Sequence, residues 1–360
     1  MQGMRLRPVR RSGGLYYRCC QEPGAQPAAN PLMNGTVSGM AEVEFAESED
    51  VAAQSVSGRR PCCPYCSGPS RFFVASTDFN RRTTDERFYY FQCTQCGLVF
   101  MDPTPLDMGP YYRGGYGAVP ETLSALRVMA ANETYRLEPI LRYKTGGHLL
   151  EIGPWHGVFC SNAKDAGFHV SAIEMDDRCV HFLKTVVGIN VVQSSDPATA
   201  LRSLDHQFDV IALWHSLEHL PRPWEVIQEA AVRVAPGGLL LVAIPNIESY
   251  EFSVLHERWR HLDTPRHLFF YPASSLIALC ESLGFKTLEV ATNDQISKLL
   301  AGDTWDTWAA GKSNRGIVRK ILRRTAFHFA QFKERGQKGV GPGLTAVFQM
   351  PTEPAPLSAE

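Results

Sequence analysis

From Thr122 to Met350 the chain alternates between two hydrophobic periods. Apolar residues recurring every three to four positions predict helices over Thr122–Tyr143 and Ser161–Gly167, the second ending on a glycine. Between the helical stretches lie the short, nearly continuous apolar runs Leu149–Ile152, Val170–Glu174, Val210–Trp214 and Leu239–Ile244, with a further strand expected at Asn190–Gln193. Runs of that length, bounded by turn residues, read as strands buried on both faces. Strands and helices in alternation predict an α/β fold with a parallel sheet wound on both sides, whose ligands sit beyond the C-terminal strand ends.

The loops at those ends carry the chemistry. The first strand runs into Glu151-Ile-Gly153-Pro-Trp155-His-Gly157, and the second ends at Glu174-Met175-Asp-Asp. A glycine turn lets a ligand approach the backbone, and an acidic residue at the next strand end can grip a ribose. The spacing is Gly-x-x-x-Gly rather than the Gly-x-Gly-x-x-Gly of dinucleotide sites, and no Lys-Ser/Thr follows to hold a triphosphate. Glu151 points instead to a cofactor with a positive amino group.

With the blocks Phe208–Leu220 and Val234–Asn246 in order behind it, the stretch from about Gly147 to Met350 resembles a class I S-adenosylmethionine (SAM)-dependent methyltransferase. The resemblance implies a Rossmann-like, doubly wound, seven-stranded sheet, with Phe285–Val290 and Leu344–Met350 as its antiparallel edge hairpin. It also implies cofactor contacts: Gly153 and Gly157 along the methionine part, Glu151 on its amino group, Glu174 on the ribose hydroxyls, Met175 against adenine, and Leu213 and Trp214 beside the methionine chain. Asp196 is a candidate for the adenine amino group, although Ser194-Ser-Asp-Pro197 reads equally as a plain turn. The chain departs from the family at Trp155, where many members carry a second glycine; the loop is expected to run differently there, with the indole on the cofactor or against a helix.

Methyl transfer needs an aligned nucleophile and a group to take its proton. His215 and His219 follow the fourth strand, and His261 and His267 lie in Trp259-Arg-His-Leu-Asp263-Thr-Pro-Arg266-His267. His219 and His267 are equal candidates for the base. His215, His261, Asp263 and Arg266 are candidates for substrate contact, with Arg266 facing a carboxylate or phosphate; the alternative is that Asp263 and Arg266 pair with each other and brace the loop. Glu218-His219 alone is too little to claim a divalent metal.

Two Cys-x-x-Cys hooks, Cys63/Cys66 and Cys93/Cys96, precede this region. Each knuckle offers two sulfurs, the pattern of a four-thiolate zinc site whose closed coordination makes the metal structural. Disulfides and a redox pair are the competing readings, and Cys62 is a possible substitute ligand. The run from Cys93 to Tyr112 is similar to the N-terminal ribbon of bacterial methyltransferases acting on sugars and other small biosynthetic intermediates, where it helps to frame the substrate cleft.

The resulting organisation is a disordered tail over 1–58, a small zinc ribbon over 59–110, a methyltransferase domain over 111–350 with a basic helical insertion at 299–338, and a disordered tail over 351–360. Arginines at 5, 7, 10, 11 and 18 also suit a transit segment. A formal net charge of -1 argues against a general nucleic-acid footprint. No run reaches membrane-span length and no secretory signal is evident, so a cytoplasmic location is expected. Lys312 to Lys338 holds nine Lys or Arg against one acidic residue, Glu334, with Val318, Ile321, Leu322, Phe329 and Phe332 at helical spacing. Its apolar stripe is expected to pack on the sheet; contact with a phosphorylated or carrier-bound substrate, or a peripheral contact with an anionic membrane, is the sharper reading. The function expected is SAM-dependent methylation of a small molecule, with a hydroxylated or sugar-type acceptor and oxygen preferred to carbon. An RNA or DNA base methyltransferase and a non-catalytic SAM-fold scaffold are the alternatives.

Overall fold

A computed structural model describes residues 60–112, 117–292, 316–336 and 339–352, several single residues between 295 and 312, and the backbone of 5–11 and 14–20. The chain divides into two units, Met1–Arg113 with Asp263–Leu268, and Gly114–Leu262 with Phe269–Glu360.

In the first unit, β1 (Arg5–Arg11) pairs antiparallel with β2 (Gly14–Cys20) where a tail was expected. The rest of 1–59 lies outside the described residues, as does the tail from 353. Strands β3 (Ser70–Thr77), β4 (Arg87–Cys93) and β5 (Val99–Met101) form an antiparallel sheet, and β6 (Thr104–Pro105) pairs with β2. Phe72 packs edge-on against Phe91 at 6.2 Å, and Tyr90, Leu98, Val99 and Phe100 are buried. The Asp263–Leu268 loop is tied in by the Tyr90 hydroxyl, which donates to the His267 carbonyl at 2.9 Å, and by the amide of Met101, which donates to the Leu268 carbonyl at 2.9 Å.

Arg266 is fully buried within this unit. Its Nη2 donates to Asp78 at 2.7 Å and Asp263 at 2.8 Å, its Nε to Asp263 at 2.9 Å, and its Nη1 to Asp78 at 3.1 Å and the Tyr111 carbonyl at 3.3 Å. Two carboxylates around one guanidinium make a desolvated charge cluster with its donors satisfied, the condition under which such a cluster holds together.

The second unit is a seven-stranded sheet. Its strands are β7 (Gly147–Ile152), β8 (Phe168–Glu174), β9 (Asn190–Gln193), β10 (Phe208–Trp214), β11 (Val234–Pro245), β13 (Lys286–Ala291) and β14 (Gly343–Gln349), with the two-residue β12 (Phe269–Phe270) outside that sheet. The order is β13-β14-β11-β10-β7-β8-β9, and only β14 runs against the rest. This is the doubly wound sheet expected from the alternating pattern. Residues 149, 210, 212, 239, 241 and 243 share one core cluster with Leu126, Ile140, Phe159 and Leu183 of the flanking helices. Their neighbours Leu150, Ile211, Leu213, Leu240 and Val242 are equally buried, which explains the unbroken apolar runs.

The helix predicted over Thr122–Tyr143 is broken into Leu123–Ala130, a 3-10 turn at Thr134–Arg136, and Glu138–Leu141. Pro139 cannot continue a helix from Tyr135, because it lacks an amide hydrogen and its ring meets the carbonyl four residues back. The next helix begins at Val158, three residues earlier than its period suggested. Of the basic insertion, Gly316–Gly336 is a 21-residue helix. No helix among the described residues is long and apolar enough to cross a membrane.

After β11, the helix Tyr250–Leu255 carries the fully buried Glu251, whose carboxyl accepts from the indoles of Trp259 at 3.3 Å and Trp305 at 3.1 Å. Burial, reinforced by the charge of Glu334, pushes this carboxyl up to about 8 despite those two donors. The folded chain therefore holds a proton that the unfolded chain releases near pH 4.5, and stability falls as pH rises through that window by at most about 1.4 kcal/mol per unit. Urea unfolding of Glu251→Gln between pH 5 and 8 is expected to lack that slope, whatever its absolute stability; an unchanged slope would place the titration elsewhere.

Candidate functional site

The turn after β7 is built on left-handed backbone. Gly153 has φ +73°, Trp155 +52° and Gly157 +85°. A Cβ at Gly153 would stand 2.8 Å from Ser216 Cβ, so that glycine is required sterically as well as conformationally, while Gly157 is required by its left-handed φ and faces the Leu183 side chain. Trp155 keeps the left-handed path that a glycine would follow, at a cost of about 1–2 kcal/mol. Its indole lies against Gly117, where a Cβ would stand 3.2 Å from the ring.

Glu174, at the end of β8, closes the turn. Its Oε2 accepts the Trp155 amide at 2.9 Å, and its Oε1 accepts the amides of Met175 at 2.7 Å and Asp176 at 2.9 Å. Burial raises the Glu174 carboxyl, and the three amides oppose that rise. Met175, next in the chain, is 65% exposed. Glu151, at the end of β7, is 2% exposed and accepts the Cys160 thiol at 2.9 Å. Burial pushes its carboxyl up to about 7, Glu174 adds to the rise, and the thiol and the Arg136 cation oppose it.

Two polar side chains near these carboxylates, Arg136 and His156, were not apparent from the sequence, and they stand beside the expected Trp214. The Arg136 guanidinium stands 5.5 Å over the Trp214 ring and pairs with Glu133 at 2.7 Å, while its buried Nε has no hydrogen-bond partner among the described residues. His156, in the turn, is 3% exposed and its two ring nitrogens are likewise without partners. Burial, and then Arg136, push this imidazole down to about 4, so it is neutral at neutral pH. Trp214 is buried at the end of β10 with its indole nitrogen also unsatisfied, and Leu213 beside it is fully buried. Unsatisfied buried polar atoms are uncommon in folded proteins, and here they converge on one place. Arg136 falls in an interrupted helical stretch, where no spacing rule marks it.

The remaining expected residues are placed as follows. Asp196 caps the helix Pro197–Ser203, accepting from the Thr199 amide at 3.2 Å and hydroxyl at 2.9 Å. His215 has φ +51°, with its Nδ1 3.7 Å from the buried Glu218. His219 ends the 3-10 turn Leu217–His219. His261 is buried with its ring 5.2 Å from that of Trp259. His267, Asp263 and Arg266 belong to the first unit, where Asp263 and Arg266 pair.

Cys63, Cys66, Cys93 and Cys96 come together in the first unit, their four sulfurs all within 4.8 Å of one another. Cys63 Sγ lies 3.7 Å from Cys96 Sγ, and Cys66 Sγ lies 3.4 Å from Cys93 Sγ. The amides of Gln95 and Cys96 point at Cys93 Sγ from 3.4 and 3.3 Å, as a tight knuckle requires. A tetrahedron with metal–sulfur bonds near 2.3 Å has edges of about 3.8 Å, so this cluster can hold a metal ion. Cys62 is not part of it.

The order and direction of the seven strands match the class I SAM-dependent methyltransferase architecture. Residues 127–290 match the family model described as "Methyltransferase domain". The chain is 29% identical over 154 residues to the ubiquinone biosynthesis O-methyltransferase of Colwellia psychrerythraea, covering 40% of this chain and 62% of that protein. It is 29% identical over 117 residues to the enzyme of the same name from Vibrio cholerae, covering 31% and 47%. The chain thus spans about half the length of these curated relatives. A SAM-dependent methyltransferase structure from Archaeoglobus fulgidus aligns with 20% identity and a TM-score of 0.43, covering 61% of this chain and 94% of that one.

Trp155→Gly and Trp155→Ala both lose the indole but differ in left-handed strain. Denaturant unfolding is expected to show the glycine variant about 1 kcal/mol more stable than the alanine variant. Equal stabilities would mean that the turn relaxes out of the left-handed region once the indole is gone.

Proposed function

We propose that the chain is a SAM-dependent methyltransferase acting on a small hydroxylated or sugar-type acceptor, with oxygen as the methylated atom. The observation that carries the reading is the buried pair Glu151 and Glu174 at neighbouring strand ends, with a left-handed glycine turn between them. The residues fit the cofactor. Glu151 is assigned the methionine ammonium, whose charge would favour the ionised carboxylate. Arg136, His156 and Trp214 offer unsatisfied nitrogens for the methionine carboxylate. Glu174 Oε2 has accepted one amide and retains a lone pair for a ribose hydroxyl. Gly153 and Gly157 keep the approach clear.

When bound, SAM supplies a methyl carbon activated by the sulfonium. The chain's task is to align the acceptor oxygen and receive its proton, for which His219 and His267 are our candidates, with His215 and His261 as candidate substrate contacts. Met175, exposed beyond Glu174, is assigned to the adenine face. Asp196 already caps a helix, and a second role on the adenine amine is part of this proposal. The names of the curated relatives, O-methyltransferases of ubiquinone biosynthesis, support a hydroxyl acceptor. We further assign zinc to the four-cysteine cluster as a structural ion, and a cytoplasmic location to the protein.

Calorimetric titration of the wild type with SAM and with S-adenosylhomocysteine is expected to show binding of both. Glu174→Ala is expected to weaken it by at least ten-fold, and Glu151→Gln to remove the increase in SAM affinity expected as pH rises through about 7. A folded wild type that binds neither ligand would overturn the reading. For the metal, elemental analysis is expected to give one zinc per chain, retained in Cys62→Ser and lost in Cys93→Ser; retention in the latter would place the ion elsewhere.

A further inference from the structure

The helix Gly316–Gly336 turns its apolar stripe away from the protein. The inward side carries Ala330, 2% exposed, with Leu322, Ala326 and Phe327 half-buried. Among the contacts that anchor it, Phe329 packs edge-on against Tyr250 at 6.1 Å, and Arg319 pairs with Asp306. On the other side Ile317, Ile321 and Phe332 are 77%, 59% and 69% exposed. At 3.6 residues per turn these three fall within about 60° of one another, with Thr325 and His328 between them, and Val318 and Phe329 extend the stripe along one border. Lys320 and Arg324 lie along the other border, and Arg323 is exposed beyond them. The expected burial of this stripe on the sheet is not what the structure shows.

Such a face is unusual on a water-exposed helix, because large apolar side chains at this density usually mark a docking surface. Its charge selects the occupant. The 21 residues carry six Lys or Arg and one acidic residue, Glu334, a formal charge of +5. A second copy laid on the same stripe would bring the bordering Lys320 and Arg324 against their own counterparts, which opposes self-association. An anionic bilayer meets both features, accepting apolar side chains below the headgroups and attracting the bordering cations. The helix, about 30 Å long at 1.5 Å per residue, has length enough to lie along such a surface, and no described helix is suited to crossing it.

We infer that the chain docks peripherally on anionic lipid surfaces through the outward face of Gly316–Gly336. This goes beyond the methyl-transfer reading and does not depend on it. The test is cosedimentation of the full chain with vesicles of phosphatidylcholine containing about one-third phosphatidylglycerol, alongside pure phosphatidylcholine vesicles. Two variants are compared, Ile321→Asp with Phe332→Asp, and Arg323→Glu with Arg324→Glu, after thermal unfolding has shown each to be as folded as wild type. Exposed positions make that outcome expected.

Wild type is expected to bind the anionic vesicles at least ten-fold more strongly than the neutral ones, and each variant to lose at least ten-fold of that binding, with SAM affinity unchanged. Absence of wild-type binding to anionic vesicles, or binding that survives Ile321→Asp with Phe332→Asp, would overturn the proposal. So would a wild-type dimer in gel filtration that the same apolar pair of changes converts to a monomer, since the stripe would then be a self-interface. Should neither pair of changes fold, Phe332→Ser alone supplies the apolar arm, with a smaller loss expected.

Discussion

The shape of the crevice depends on how one buried carboxylate is satisfied. Glu174 sits at the end of β8 with little water around it, and a carboxylate in that position must find hydrogen-bond donors. It finds three backbone amides, two from its own strand end and one from Trp155 in the neighbouring turn. That last bond ties the turn after β7 to the end of β8. It also helps to explain how a tryptophan tolerates φ +52°, since relaxing the turn would withdraw a donor from a buried charge.

Two arginines show how differently the fold treats buried cations. Arg266 spends its donors on Asp78, Asp263 and nearby carbonyls, and that cluster binds the Asp263–Leu268 loop to the antiparallel sheet. Arg136 keeps a buried Nε unsatisfied beside two other unsatisfied ring systems, His156 and Trp214. A cation that completes its own partners serves architecture first. Unsatisfied donors next to a carboxylate of raised pKa indicate a place organised for something the chain does not supply. In the proposed reading, that is the zwitterionic end of the cofactor.

Glu251 is a third buried charge problem, solved in another way. Burial and a nearby acid raise its carboxyl against two indole donors, whose bonds join Trp259 and Trp305 to the helix following β11. The helix Gly316–Gly336 reaches the same region through Phe329 and Tyr250. Its inward side is thus held by a few contacts, while most of its large apolar side chains remain exposed.

Hydrophobic period marked the central strands β7, β10 and β11, because strands buried on both faces must be apolar almost throughout, whereas the edge strand β9, exposed at Asn190, Val192 and Gln193, carries a weaker signal. Residue spacing likewise marked the glycine turn, the acidic strand ends and the two cysteine hooks, all of which are local in sequence. The break before Glu138 was also legible, in one proline within an otherwise continuous helical period. Two things needed the tertiary structure. The roles of Arg136 and His156 depend on neighbours from β7, β8 and β10, distant in sequence. The direction of the stripe on Gly316–Gly336 was decided only by packing, because a periodic apolar pattern states that a helix has an apolar face and says nothing about which way that face points.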